Sequence, residues 1–423
     1  MESAMRQNLR SFGAYSISAA MLLLGTSGIT GCAGKQGSYT GAFKEQAELR
    51  VLGFKAGTEF DLARQQYLSG DLDKAIRTID KSLSMKEDVA RSHILRARIL
   101  IEMDRLENAT TALNRALELD PQSVDAHYFS GILYERFSQF DRAYTFYRSA
   151  AELDPTNSQY IIAASEMLVQ VGRLQEAEDL MRAHLTRFEH NAGLRQTLGH
   201  IAMMNGDLNE AVQMFSDAAL LAPGDPAVLE DLVRAQISAG EFAEAEYSLR
   251  RLVMMQKKGE RRDLRHMLAR CLIELDRPVE ARDLLLDLTG DARGANDARL
   301  WIDLANVSMM LEDSARLRQC AARLISITPH QPEGYVLRAM WLHMQGQTES
   351  ALEALAQGAR RCPKAGSIPV LQAVYYESLG QHQKAREATA RAIALMPDDP
   401  GAQRLAQVMG VRPVGIADAF GQD

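Results

Sequence analysis

The sequence predicts an all-α chain built as a solenoid of helical hairpins, and three periodicities carry that prediction. Alanines recur in steps of 34 residues at Ala75, Ala109, Ala143, Ala177, Ala211 and Ala245. Two steps of 36 lead to Ala281 and Leu317, and the shorter step returns at Ala351 and Ala385. Prolines keep the same beat at Pro121, Pro155, Pro223, Pro329, Pro363 and Pro397. A small residue stands twelve positions before the alanine column, at Ala63, Ala97, Gly131, Ser165, Gly199, Ala269, Ala305, Ala339 and Ala373; only Val233 breaks it. A fixed period of this size marks supersecondary units that bury their apolar faces by stacking on one another.

Each column has a physical reason. Two helices of a hairpin approach closely only where the side chains at their crossing are small. Larger residues then fill the space beside it, and Leu113, Tyr147, Met181, Phe215, Leu249, Leu285 and Leu355 hold that place in the second helix. The turn between the helices often carries glycine, at Gly70, Gly172, Gly206, Gly240, Gly346 and Gly380, because glycine takes the left-handed backbone that ends a helix. The closing proline cannot continue a helix interior and separates one hairpin from the next. Ten hairpins fit between Ala56 and Asp398. Asp399-Pro400-Gly401 opens a last amphipathic segment to about Met409 that would cover the open end of the stack, with Asp399 as its cap. The domain order read from this is 1–31 leader, 32–55 spacer with some helix from Phe43, 56–261 repeats one to six, 262–398 repeats seven to ten, 399–410 capping helix and 411–423 tail. The two longer steps place extra residues around Met255–Arg262 and Gly290–Asp297, where the stack is expected to bend or loosen.

These columns resemble the tetratricopeptide-repeat (TPR) family, whose motif is a 34-residue helix-turn-helix with small residues at sites 8, 20 and 27, a large apolar residue at 24 and proline at 32. The third repeat carries the likeness best, through Gly131, Tyr134, Ala143, Tyr147, Ala150 and Pro155. The motif's Trp at site 4 is absent; His93, His127 and Tyr335 stand there. The resemblance implies a right-handed superhelix whose concave groove is lined by the first helix of each hairpin, and a protein or peptide as its ligand.

The leader carries a second resemblance. Arg6 and Arg10 precede an apolar stretch from about Ala14 to Leu24, too short for a stable membrane span. Ile29-Thr30-Gly31-Cys32 then resembles the lipobox of bacterial lipoproteins. That implies a cleaved signal peptide, acylation of Cys32 and a membrane anchor in the cell envelope. The periplasm-facing outer membrane is favoured over the inner, because Ala33 replaces the retention aspartate of the enteric sorting system. An ordinary signal peptide with an incidental cysteine is the other reading.

Little in the chain points to catalysis. Gly34-Lys35 lacks the spacing and the Ser/Thr of a phosphate loop, and no His-Glu-x-x-His or Cys-x-x-Cys occurs. No cofactor, metal or small-molecule substrate is expected. A formal net charge of −7 gives no basic excess for nucleic acid. Beyond Cys32, the cysteines Cys271, Cys320 and Cys362 read as small buried hydrophobes, with one disulfide plus a free thiol as the alternative.

Candidate binding residues follow from which sites of the first helix face the groove. A polar set comprises Arg64, Arg98, Arg234 and Arg270, all at site 9, with Glu135, Glu166 and Glu230 near them. The arginines suit a partner's carboxylates or form a solvated, internally paired face. A mixed set comprises His200, Met203, Ile302, Met309, Met340 and His343, where flexible methionines suit an adaptable apolar groove or pack between repeats. The basic run Lys257-Lys258-Gly259-Glu260-Arg261-Arg262 reads as a solvated loop, with contact to anionic lipid as the sharper alternative. The resulting expectation is a non-catalytic envelope scaffold assisting assembly of a pilus, secretion or export complex, or else an adaptor presenting substrates to an envelope enzyme or protease.

Overall fold

The computed structural model describes residues 38–255 and 261–411, and among them every regular element is helical. Contacts divide the chain into two compact units, one ending at Ile99 and one beginning at Leu100.

The first unit holds α1 (Ser38–Leu68), α2 (Leu72–Met85) and most of α3 (Ala90–Glu102). Gly70, at φ +82°, turns α1 into α2. The two helices close over Ala63, Ala75 and Ile79, and the Ser82 hydroxyl donates to the Ala56 carbonyl at 2.8 Å. Helix α1 starts eighteen residues before Ala56, so most of the expected spacer is one continuous helix with the first repeat. No proline interrupts 38–55, and helix formers dominate it. Since α2 ends at Met85, three residues past Ser82, this stretch runs beyond the reach of its hairpin partner and leaves Phe43, Leu49 and Phe54 exposed.

The second unit continues with the hairpin partners α4 (Leu106–Leu119); α5 (Val124–Arg136) and α6 (Phe140–Leu153); α7 (Ser158–Gln170) and α8 (Leu174–Leu185); α9 (Ala192–Asn205) and α10 (Leu208–Leu221); and α11 (Pro226–Ala239) and α12 (Phe242–Met255). Then come α13 (Arg262–Glu274) and α14 (Pro278–Thr289); α15 (Ala298–Met310) and α16 (Ser314–Ile327); α17 (Glu333–Met344) and α18 (Thr348–Arg361); α19 (Ser367–Ser378) and α20 (His382–Leu395). Each helix packs on the next in sequence, as a repeat array requires. Side chains of Ser123, Asn157, Asn191, Asp225, Asp297 and Asp313 cap first or second helices by accepting backbone N–H bonds.

The small-residue column is steric. A Cβ on Gly131 would lie 2.5 Å from the Tyr147 ring, and one on Gly199 would lie 2.8 Å from the Phe215 ring. Where the second helix carries an aromatic at the crossing, its partner helix has room only for glycine. The turns follow one rule as well. Each hairpin turn has one residue at positive φ, but only six of these are glycines. Asp104, Ser138, Asp276 and Glu312, with φ of 54–58°, fill the same place in the other four.

The core does not thin where the longer steps fall. One buried cluster runs from Ala202 to Leu337, with Leu249 and Leu252 before the first long connection and Leu264 and Leu268 after it. Residues 256–260 of that connection lie outside the described residues. The expectation of loosening around Gly290–Asp297 is corrected. That segment forms a short 3-10 turn, Gly294–Asn296, stitched to its neighbours. The Asp291 carboxylate accepts from the Gly294 N–H at 2.8 Å, and the Ala295 carbonyl accepts from Trp301 Nε1 at 3.0 Å and from Arg323 at 2.8 Å. Arg262 adds bonds to Asp291 and to the Leu288 carbonyl. The extra residues therefore serve to tie α14, α15 and α16 together.

Helix α21 (Pro400–Met409) closes the array. Asp399 accepts from the Ala402 N–H at 2.7 Å, Ala402 and Ala406 are buried, and Gly410 ends the helix at φ +63°. Cys271, Cys320 and Cys362 are free and buried, which is the small-hydrophobe reading. Burial pushes the Cys271 thiol up to about 11 and the Cys320 thiol up to about 12.

Candidate partner-binding groove

Within the second unit, several first helices of successive hairpins touch one another: α7 with α9, α9 with α11, α13 with α15 and α17 with α19. Second helices of successive hairpins make no comparable contact. Helices that crowd on one side of a stack form its inner face, so the first helices supply the groove.

One row on that face runs through Glu166, His200, Arg234 and Arg270, at the same register in four successive repeats. All four are exposed. Glu166 makes no hydrogen bond or ion pair among the described residues. The protein around it strips hydration from its carboxyl, the Glu135 charge adds to the effect against weaker help from His200, and its pKa rises. Glu135, one repeat back, is exposed and accepts a 2.7 Å hydrogen bond from the Tyr147 hydroxyl.

In the middle of the row a buried carboxylate collects donors. Asp231, 6% exposed, accepts from Gln196 Nε2 at 2.6 Å and from Arg234 at 2.7 Å, and lies 3.1 Å from His200 Nε2. Burial opposes ionisation of Asp231. The hydrogen bonds from His200 and Gln196 and the nearby charges outweigh it and hold the carboxyl below the ordinary value. His200 also stands edge-on to the Phe215 ring, with centroids 5.0 Å apart. Neighbouring charges are similarly matched. Glu230 accepts from Arg261 at 2.6 and 3.0 Å, and Arg261 also reaches Asp263 at 2.8 Å. His266 Nε2 lies 2.6 Å from Asp303. Arg270 has no hydrogen bond or ion pair among the described residues.

A second row lies one helical turn further along the same helices. Met203, Ile237, Ile273 and Met309 are half-buried there, each resting on the core with one flank outward. Ile302 and Met340 join the same surface, and Met310 and Met344 are exposed beside it. His343 stacks on Tyr375, with centroids 4.3 Å apart, and its Nδ1 lies 3.0 Å from the Thr348 hydroxyl.

The structure thus brings together Glu135, Glu166, His200, Met203, Arg234 and Arg270, with Ile302 and Met309 continuing the surface. The arginine column does not behave as one set. Arg234 is engaged by Asp231 and Arg270 is unpaired. Arg64 and Arg98 belong to the first unit, Arg64 exposed and Arg98 half-buried over the Tyr67 ring at 5.1 Å. Cys32 and Lys257–Glu260 lie outside the described residues. The sequence reading missed Asp231, Gln196, Ile237 and Ile273. The isoleucines were findable by continuing the register of Met203 and Met309; Asp231 was not, because Gln196 and His200 reach it from a neighbouring repeat. Among the described residues no cluster of His, Cys, Asp and Glu has the geometry of a metal site, and no helix is long and apolar enough to cross a membrane.

Comparison with protein families agrees with this architecture. Two family models, both described as tetratricopeptide repeat, match residues 168–229, 202–261 and 237–304, and residues 60–122, 94–158 and 344–401. A TPR repeat-containing protein of Methanocaldococcus jannaschii is 23% identical over 149 residues, which is 35% of this chain and 26% of that protein. The chain thus matches about a quarter of that relative's length. Among solved structures, Pseudomonas aeruginosa pilF is similar at 18% identity and TM-score 0.40, over 48% of this chain and 92% of its own. YrrB, described as a TPR protein with an unusual peptide-binding site, is similar at 20% identity and TM-score 0.35, over 43% and 93%.

Proposed function

Because this chain belongs to the tetratricopeptide-repeat family, whose members act as protein-interaction scaffolds, we propose that it is a non-catalytic scaffold that takes a protein partner in the groove of its first helices and is held at the bacterial envelope by an acylated Cys32. The observation that carries the binding half is the inner face itself, an apolar row beside a charged row across four repeats, with Glu166 and Arg270 left unmatched. The anchoring half is supported by the order of features in residues 1–32: basic start, short apolar core, then Ile29-Thr30-Gly31-Cys32. A pilus, secretion or export assembly at the outer membrane is the setting this combination suits.

Two experiments test the halves separately. Crosslinked capture from membranes compares the native chain with Arg234→Glu/Arg270→Glu. Loss of a reproducible partner from a variant with unchanged helical circular dichroism supports groove binding, and an unchanged partner set refutes it. Fractionation of Cys32→Ser, with mass spectrometry of the mature N-terminus of the native chain, tests the anchor. An unacylated terminus, or a variant that stays with the membrane as the native chain does, overturns it.

A further inference from the structure

Many charged groups of the inner face between α5 and α15 are engaged in place. Asp231 pairs with Arg234, Glu230 and Asp263 share Arg261, and the imidazoles of His200 and His266 lie at hydrogen-bonding distance from Asp231 and Asp303. What remains is a negative end and a positive end. At the negative end, the Glu135 charge bears on Glu166, which has no ion pair among the described residues, and the His200 ring beside them is engaged by Asp231. At the positive end Arg270 stands exposed three repeats further on, with Asn306 exposed in the next repeat of the same row. Between the ends runs the half-buried row Met203, Ile237 and Ile273, continued by Met309.

We propose, resting on the groove-binding reading above, that the partner is an extended segment with a Lys or Arg at one end, a Glu or Asp at the other and aliphatic residues between. Its cation sits against Glu135 and Glu166, its carboxylate meets Arg270, and its aliphatic side chains lie along the apolar row. Packed helices stand about 8–10 Å apart, so three repeats span roughly 25–30 Å of the inner face if first helices pack directly on one another. An extended chain covers about 3.3 Å per residue, which places the two charges about eight or nine residues apart. A guanidinium facing a carboxylate forms paired, charge-assisted hydrogen bonds, and a cation between two crowded carboxylates relieves their repulsion. Both interactions favour the segment over a purely apolar one, and both weaken with salt.

The test uses fluorescein-labelled thirteen-residue peptides of alternating Leu and Ser, with Lys and Glu placed eight apart in the Leu register, so that in an extended chain both charges share the face of the leucines. Controls carry Lys at both places, Glu at both, Gln at both, or Lys and Glu four apart on the same face. Fluorescence anisotropy at low salt reads affinity for the whole chain. The expected result is that the eight-apart Lys/Glu peptide binds at least about tenfold tighter than the Gln/Gln peptide. Arg270→Glu should switch the preference to the Lys/Lys peptide, and Glu135→Gln/Glu166→Gln should remove the advantage of Lys. A change in specificity of that kind does not arise from altered folding. If the peptides bind alike whatever their charges, or if Arg270→Glu lowers all affinities equally, the charge-ordered partner is wrong while the groove reading stands. If none binds, both fall.

Discussion

Gly199 sets two effects of opposite sign against each other, and the structure says which one wins. In the middle of α9, Ala in place of Gly should stabilise the helix by about 1 kcal/mol, because glycine surrenders more backbone freedom on folding. The added Cβ would stand 2.8–2.9 Å from three atoms of the Phe215 ring, well inside van der Waals contact. Phe215 is 1% exposed and packed among Ala211, Ala218 and Ala219, so the ring cannot swing into solvent. Overpacking of a closed core costs about 1–3 kcal/mol. Gly199→Ala should therefore destabilise by up to about 2 kcal/mol net of the helix gain. Phe215→Leu removes the obstructing ring, and in that background the same Gly199→Ala change should become neutral or stabilising by up to about 1 kcal/mol. The cycle is read by urea denaturation followed by circular dichroism. Amide exchange in α9 and α10 locates the effect, since long arrays do not always unfold as one unit. A Gly199→Ala chain more stable than the native one, or equal effects in both backgrounds, would refute the steric account of the small-residue column.

Three further outcomes follow from features described above. Glu312→Gly should stabilise by about 0.5–1 kcal/mol, because the left-handed backbone at φ +55° costs a side-chain-bearing residue about 1–2 kcal/mol while glycine gives back part of that as unfolded-state entropy; a lowered urea midpoint would contradict it. Asp231→Asn should cost about 1–3 kcal/mol at pH 7. Since its carboxyl is held below the ordinary value in the folded chain, its contribution is complete above the unfolded aspartate pKa of about 4 and is lost as pH falls through the folded value, so stabilities of the two chains should converge in acid; a pH-independent gap would count against the charge network. In a Cys32→Ser chain the three remaining thiols should resist Ellman's reagent at pH 8 in the folded state and all react in urea, because burial raises each of them; a thiol that reacts within minutes in the native protein would exclude the packing described for it.

The sequence disclosed the repeat because its causes are local and recur. A glycine opposite Tyr147 and another opposite Phe215 show in a column, as do the six turn glycines. Four turns without glycine escaped that reading, since nothing in Asp104 or Glu312 announces positive φ until the hairpin on either side is fixed. Asp231 escaped for a different reason. An aspartate on a first helix looks like any solvated acid, and its character comes from Gln196 and His200, 35 and 31 residues earlier, which reach it only once two repeats have stacked. The connection at Gly290–Asp297 misled because extra length suggested slack, whereas Arg262, Trp301 and Arg323 use that length as anchorage. Arg270 is exposed at the register the sequence singled out, but that it has no ion pair among the described residues, while Arg261 and Arg234 find acids, shows only in the folded chain.

Within the second unit, packing joins each helix to the next along the chain. Such a molecule has no moment in synthesis at which an early segment must wait for a distant one. Once a hairpin and the first helix behind it have emerged from the ribosome, their apolar faces are already covered, and each later helix docks on a finished surface. Chains dominated by local contacts of this kind close their loops cheaply and fold quickly. The surface at greatest hazard during synthesis is then only the newest end, which stays open until Ala402 and Ala406 of α21 settle over it.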